Sequence, residues 1–172
     1  MAAPPPSTVK VATFNIHFFA DRYGKPGLLK QIRAIAESGF DVVCLQEVFH
    51  PVPHGTGSAG SPQADARVTA AFAEAWANDD RPTTEPLFGN AILSKYPIVD
   101  SHGVVLKDGG EPRALLIAAL DVEGRTLRVH TTHLDHRLEP NRLFQVEEVL
   151  EALESTKSSL RGPHILCGDF NS

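Results

Sequence analysis

The chain has 172 residues, 42% hydrophobic and 22% charged, with 13 glycines and 13 prolines. This composition excludes a disordered or fibrous chain and fits one globular domain with a sizeable apolar core. With 16 basic residues against 21 acidic ones the net charge is −5, and no Lys/Arg block runs along the chain, which argues against broad nucleic-acid binding by charge neutralisation.

Residues 1–8, MAAPPPST, read as a disordered Pro-rich N-terminus, and 9–172 as a single domain. No basic cap followed by an apolar stretch marks a signal peptide, and the longest apolar run, Ala114 to Leu120, is far shorter than the ~20 residues that span a bilayer. A soluble, cytoplasmic protein is the expectation. Cys44 and Cys167 lie inside apolar runs and read as buried free thiols, not as a disulfide pair.

In chain order, Val9 to Ile16 is rich in β-formers and predicts a strand with a polar end at Asn15. Leu28 to Ser38 places Leu28, Ile32, Ile35 and Ala36 at helical spacing, with Gly39 as the stop. Asp41 to Glu47 predicts a short, continuously apolar strand, so strand, helix and strand together suggest an α/β layer around a buried sheet. His50 to Gln63 is a Pro/Gly/Ser-rich loop, Ala64 to Ala77 predicts a helix, and NDDRPTTEP is a second loop. Strand-like runs at Asn90 to Ser94, Ile98 to Leu106, Leu115 to Val122 and Thr126 to His133 predict an antiparallel meander. A helix starting near Pro140 is expected to bury Leu143, Val146, Leu150 and Leu153, before a last strand, HILC, leads into Gly168-Asp169-Phe170-Asn171.

Polar residues end several of these apolar strands: Asn15, Glu47, His133 and the Asp169/Asn171 pair. At the ends of a covered sheet such groups can converge on a ligand without being buried unpaired. Side chains two apart on an extended chain face one way, so Asp169 and Asn171 would project together while Phe170 turns inward. A carboxylate and an amide aimed at one point suit the orientation and deprotonation of water; a strand-end Asp-x-Asn turn is the alternative. Glu47 with Asn15 makes a suitable oxygen site for Mg²⁺, which binds through one or two carboxylates and keeps several waters; solvated strand ends are the plainer reading. His130 and His133 lie on opposite faces of a regular strand, which disfavours zinc. His133 suits donation to a phosphoryl oxygen, or a structural role. Arg113 suits a bidentate grip on phosphate, or a rim ion pair.

Taken in order, the segments TFNIH (13–17), DVVCLQEV (41–48), GNAILSKYPI (89–98), EPRALL (111–116), THLDHR (132–137), RLFQ (142–145) and GDFN (168–171) resemble the endonuclease/exonuclease/phosphatase superfamily, the fold of deoxyribonuclease I. The resemblance implies an α/β (α+β) four-layer sandwich: two mixed β-sheets flanked by helices. It implies a divalent-metal-dependent hydrolase of phosphoester bonds, with Asn15 and Glu47 at a Mg²⁺ site that Mn²⁺ could also fill. It further implies catalytic roles for His133, Asp169 and Asn171, and phosphate contacts from Arg113 and Asn90. The substrate class stays open among small-molecule phosphoesters, lipid head groups and nucleic acid, because one fold hosts all of them. Members of the superfamily continue past the GDFN segment through further strands to a closing Asp-His pair, so the expectation here is a C-terminally truncated domain with its last strands missing. A catalytically impaired fragment or a non-catalytic binding module retaining the fold is the alternative function.

Overall fold

A computed structural model of the chain describes residues 8–19, 27–50, 69–74, 87–106, 113–157 and 162–172. The Pro-rich segment up to residue 7, the loop 51–63 and the loop 78–86 lie outside the described residues. The elements run β1 (Val11–Asn15), a 3₁₀ turn (His17–Phe19), α1 (Leu28–Glu37), β2 (Val42–His50), β3 (Thr69–Glu74), β4 (Leu87–Ser94), β5 (Ile98–Leu106), β6 (Arg113–Val122), β7 (Arg125–His133), α2 (Glu139–Lys157) and β8 (His164–Asp169). They form two four-stranded sheets, β1-β2-β4-β3 and β5-β6-β7-β8. Both are mixed, since β1 runs parallel to β2 and β8 parallel to β7 while the other neighbours are antiparallel.

The packing follows the period-two alternation of strands. On β6, Ala114, Leu116, Ala118, Leu120 and Val122 meet Val42, Cys44 and Ile92 of the first sheet, forming the core between the sheets. The alternate residues Leu115 and Ile117 turn outward and pack with Val149, Val146, Ala152 and Leu153 of α2. On the far side Val43 and Leu45 face outward with Ile35 of α1. Helix, sheet, sheet and helix are therefore the expected four layers. Among the described residues no helix is long and apolar enough to cross a membrane.

Several expectations are corrected. The segment expected as a helix over Ala64 to Ala77 contains β3, whose Thr69–Glu74 pairs antiparallel with Gly89–Ser94 of β4; ladder hydrogen bonds to an available edge outweigh the intrinsic helix preference of its alanines. The run Asn90 to Ser94 is not in the meander, because β4 belongs to the first sheet and the chain changes sheets at Lys95–Pro97. On α2, Leu143 and Leu150 are exposed, and Gln145, Val146, Val149, Ala152 and Leu153 form the inner face. On α1, Ile32 and Ala36 are also exposed, and among the described side chains Ile35 packs against the sheet. The helix ends as expected: Gly39 takes a φ of +71°, the left-handed position that closes a helix. Both cysteines are free thiols.

His130 and His133 lie on opposite sides of β7. His130 is fully buried beside Ile117, on the α2 side, with Nε2 3.1 Å from His164 Nδ1. Burial, then the neighbouring His164, Arg128 and His102, pushes its pKa down from 6.5 to about 4. A histidine depressed in the folded state binds its proton more readily once unfolded. Its contribution is therefore complete above pH 6.5 and is lost as pH falls through about 4. Urea midpoints measured across this window should drop, with the His130 ring titrating near the lower end by NMR; a flat profile would contradict the burial.

Candidate active site

β1, β2, β7 and β8 carry their polar residues to the same end of the two sheets. Asn15 is the last residue of β1 and pairs with Gln46 across the parallel ladder. On the second sheet His133, the last residue of β7, pairs with Asp169, the last of β8.

Glu47 was expected at a strand end, but β2 continues to His50. The register with β4 shifts between Leu45 and Val48, and Glu47 has a φ of +57°. This is a β-bulge, a device that re-aims a side chain. By plain alternation Glu47 would share the outward face of Val43 and Leu45; at the bulge it instead reaches Asn15 on the inner side.

Asn15 is the hub. Its Nδ2 donates to Glu47 Oε1 at 2.8 Å and to Asp169 Oδ2 at 2.9 Å, so one amide joins carboxylates from the two sheets. Its Oδ1 accepts the His17 N–H at 2.9 Å, which holds the amide in that sense. Burial acts to raise the Asp169 pKa, but the hydrogen bonds from Asn15 and the Asn171 N–H, with the charges of His133 and Arg113, bring it below the ordinary 3.8. The second Glu47 oxygen, Oε2, is buried with no hydrogen-bond partner among the described residues.

His133 stands 3.8 Å from Asp169 Oδ2 through Nε2, too far for a direct hydrogen bond. Arg113 fixes its other nitrogen: the guanidinium donates to His133 Nδ1 at 3.1 Å and to His136 Nδ1 at 3.0 Å. A guanidinium only donates, so Nδ1 is the acceptor and neutral His133 carries its proton on Nε2, facing Asp169. Burial, then the Arg113 charge, pushes the His133 pKa down to about 4 against the pull of Asp169. It is neutral at physiological pH.

Asn171 differs from its expectation. Its φ is +52°, so the Asp169–Asn171 segment is turned and not extended. The Asn171 N–H donates to Asp169 Oδ1 at 3.1 Å and its side-chain amide to the Leu134 carbonyl at 2.9 Å. Phe170, expected to face inward, is 38% exposed, because the turn carries it out of the strand alternation. Arg113 and Asn90 are buried behind the site, and Asn90 donates to the Ala114 carbonyl at 2.8 Å.

An open cleft of about 610 Å³ fronts this network, lined among others by Phe14, Asn15, Gln46, Asp169, Phe170 and Asn171. Glu47 and His133 are not in its lining; they connect to it through Asn15 and Asp169. Sequence reasoning missed Thr13 and Gln46, which line the cleft beside Asn15, and Thr131, which is fully buried next to Gln46. The available signal was the inward face of β2, where Val42 and Cys44 are followed at the same period by an amide.

Among the described residues no group of three or more His, Cys, Asp or Glu side chains is placed to hold a metal ion. The donors present are Glu47 and Asp169 around one amide, with Glu47 Oε2 lacking a partner. A hard, oxygen-seeking cation that uses one or two carboxylates and retains water fits such a set; a cation requiring a full protein cage does not.

The geometry defines an α/β sandwich with a carboxylate, amide and histidine centre at its strand ends. The family profile described as Endonuclease/Exonuclease/phosphatase family matches residues 12–172. The chain belongs to this family, whose members are hydrolases acting on phosphoesters. Among solved structures it is similar to an endonuclease/exonuclease/phosphatase from Beutenbergia cavernae DSM 12333, at 25% identity and a TM-score of 0.61, covering 95% of this chain and 47% of that one. It is also similar to the mannosyl-6-phosphatase of Bacteroides thetaiotaomicron VPI-5482, at 18% identity and a TM-score of 0.68, covering 95% and 66%. Sphingomyelinase C from Streptomyces griseocarneus matches at 22% identity and a TM-score of 0.63, covering 97% and 65%. The chain thus spans roughly half to two-thirds of the length of these three structures. No curated protein matches.

Proposed function

We propose that this chain carries the metal-side part of the active centre of a divalent-metal-dependent phosphoester hydrolase. The observation that carries the reading is the single Asn15 amide bonded to Glu47 and Asp169, beside a Glu47 oxygen buried without a partner. Glu47 would hold Mg²⁺ or Mn²⁺, with Asn15 orienting its carboxylate. The bound cation would polarise a phosphoryl oxygen and neutralise developing charge.

The remaining roles belong to the chain's own residues. Asp169, kept ionised at neutral pH, accepts the proton of the attacking water, and Asn171 holds its Oδ1 through a main-chain bond. Neutral His133 presents Nε2–H for a phosphoryl oxygen, its tautomer set by Arg113. Arg113 and Asn90 act from behind. For the substrate, the acidic net charge favours a small or lipid-derived phosphoester over extended duplex nucleic acid. The similar structures named as a mannosyl-6-phosphatase and a sphingomyelinase lie on that side.

The test titrates Mn²⁺ into the full chain and into Glu47→Gln, and assays turnover of a phosphomonoester, a phosphodiester, sphingomyelin and single-stranded DNA. We expect saturable Mn²⁺ binding that Glu47→Gln weakens by more than the roughly 10- to 100-fold that loss of an outer-shell partner of a metal ligand already costs. Equal binding by the variant sinks the proposal. Binding without turnover of any substrate favours the alternative, a binding module that keeps the fold.

A further inference from the structure

Adjoining the site is a polar cluster that the proposed chemistry does not use, with Thr13 and Gln46 in the wall of the same cleft. Gln46 is 1% exposed and sits immediately before Glu47. Its side-chain Nε2 donates to Thr13 Oγ1 of β1 at 3.1 Å and to Thr131 Oγ1 of β7 at 2.9 Å. Its main-chain carbonyl accepts the Ile16 N–H at 3.1 Å, holding the chain just past Asn15. Thr13 is two residues before Asn15, and Thr131 two before His133. One buried amide thus ties three of the strands that carry the site, and it crosses from one sheet to the other.

We propose that Gln46 is a positioning residue, which sets the spacing of the two sheets beside the Asn15, Glu47 and Asp169 network; the proposal rests on reading that network as a metal-dependent centre. The physical need is plain. Asn15 must span 2.8 Å to a carboxylate on one sheet and 2.9 Å to a carboxylate on the other. Apolar contacts between sheets tolerate sliding of several tenths of an ångström, whereas hydrogen bonds weaken steeply off their preferred geometry. Of the neighbouring inward positions of β2, Val42 makes only such tolerant contacts within the inter-sheet core, and Cys44 adds a thiol contact with Cys167 of β8. An amide at this position satisfies one N–H donor within its own sheet, at Thr13, and the other across the gap, at Thr131, where an unsatisfied buried amide would be costly.

The test uses the full chain with Gln46→Met, which preserves length and removes both donors, and Val129→Ala as a core control on β7. The first readout is hydrogen exchange and chemical shift of the Asn15 side-chain amide by NMR; the second is Mn²⁺ affinity. We expect Gln46→Met to speed Asn15 amide exchange and weaken Mn²⁺ about tenfold or more, while Val129→Ala lowers the melting temperature and moves neither. Gln46→Met with both readouts within twofold of the parent overturns the proposal, as does a control that shifts them equally. Should Gln46→Met not fold, Thr131→Val removes one acceptor and is judged by the same readouts. If the parent takes up no Mn²⁺, the functional reading fails by itself, and the Asn15 amide signal alone decides the role of Gln46.

Discussion

Asp169→Asn is expected to lower phosphoester turnover by about 10²- to 10⁴-fold, the usual cost of losing a positioned acid–base group. The substitution preserves shape and leaves an oxygen to accept one of the two N–H groups, from Asn15 or Asn171, that now bond the carboxylate. What it removes is the negative charge and the capacity to take a proton from water. Asp169 and Glu47 share one amide, so replacing one carboxylate also relieves like-charge repulsion, and the melting temperature should change little. Initial rates with a chromogenic phosphodiester in Mg²⁺, read beside a thermal melt, separate the two effects. A variant within threefold of the parent rate would remove Asp169 from the chemistry, and a melt that collapsed with the rate would assign it to the fold instead.

The second large effect concerns the backbone that delivers Asp169. Gly168 has a φ of +151°, and a Cβ built there would press into the Thr132 carbonyl of the adjoining strand β7. Strain at such a position and an overpacked contact each cost about 1–3 kcal/mol. Gly168→Ala should therefore lose roughly 2–6 kcal/mol, a large part of the ~5–15 kcal/mol that stabilises a typical domain. Gly124 is the natural control. It also has a positive φ, +80°, but nothing lies within 4 Å of a Cβ there. Gly124→Ala should cost only about 1–2 kcal/mol, the left-handed backbone term alone. Urea unfolding of the two variants reads the difference directly, and equal losses would show that the close approach to Thr132 carries no weight.

Much of this architecture is legible without coordinates, and where it is not, the failures share a cause. The strands ending in Asn15, His133 and Asp169 were readable because apolar β-formers stop abruptly at a polar residue, a signal contained in a few neighbouring positions. The helix beginning at Glu139 was readable from its Pro140 start, but its buried face was not: Leu143 and Leu150 look like core residues, yet they point to solvent while Gln145 is fully buried. Which stripe of a helix faces inward depends on the sheet it meets. The segment around Thr69 to Glu74 went wrong for the same reason, since its alanines take the conformation that β4 offers them.

The residue types of the site were likewise written in the chain: an amide, two carboxylates and a histidine, each at or near the end of an apolar run. Local residue chemistry is enough to show that such groups, if they met, could bind a cation and work on a phosphate. The meeting itself is a tertiary fact. Asn15 and Asp169 stand far apart along the chain and touch only because two sheets stack with those strand ends together. The aim of Glu47 depends on a one-residue bulge, the tautomer of His133 on a buried guanidinium from β6, and the spacing of the sheets on what bridges them at Gln46. Side-chain chemistry is a property of each residue alone, whereas direction, protonation and distance are set by whatever packing brings alongside.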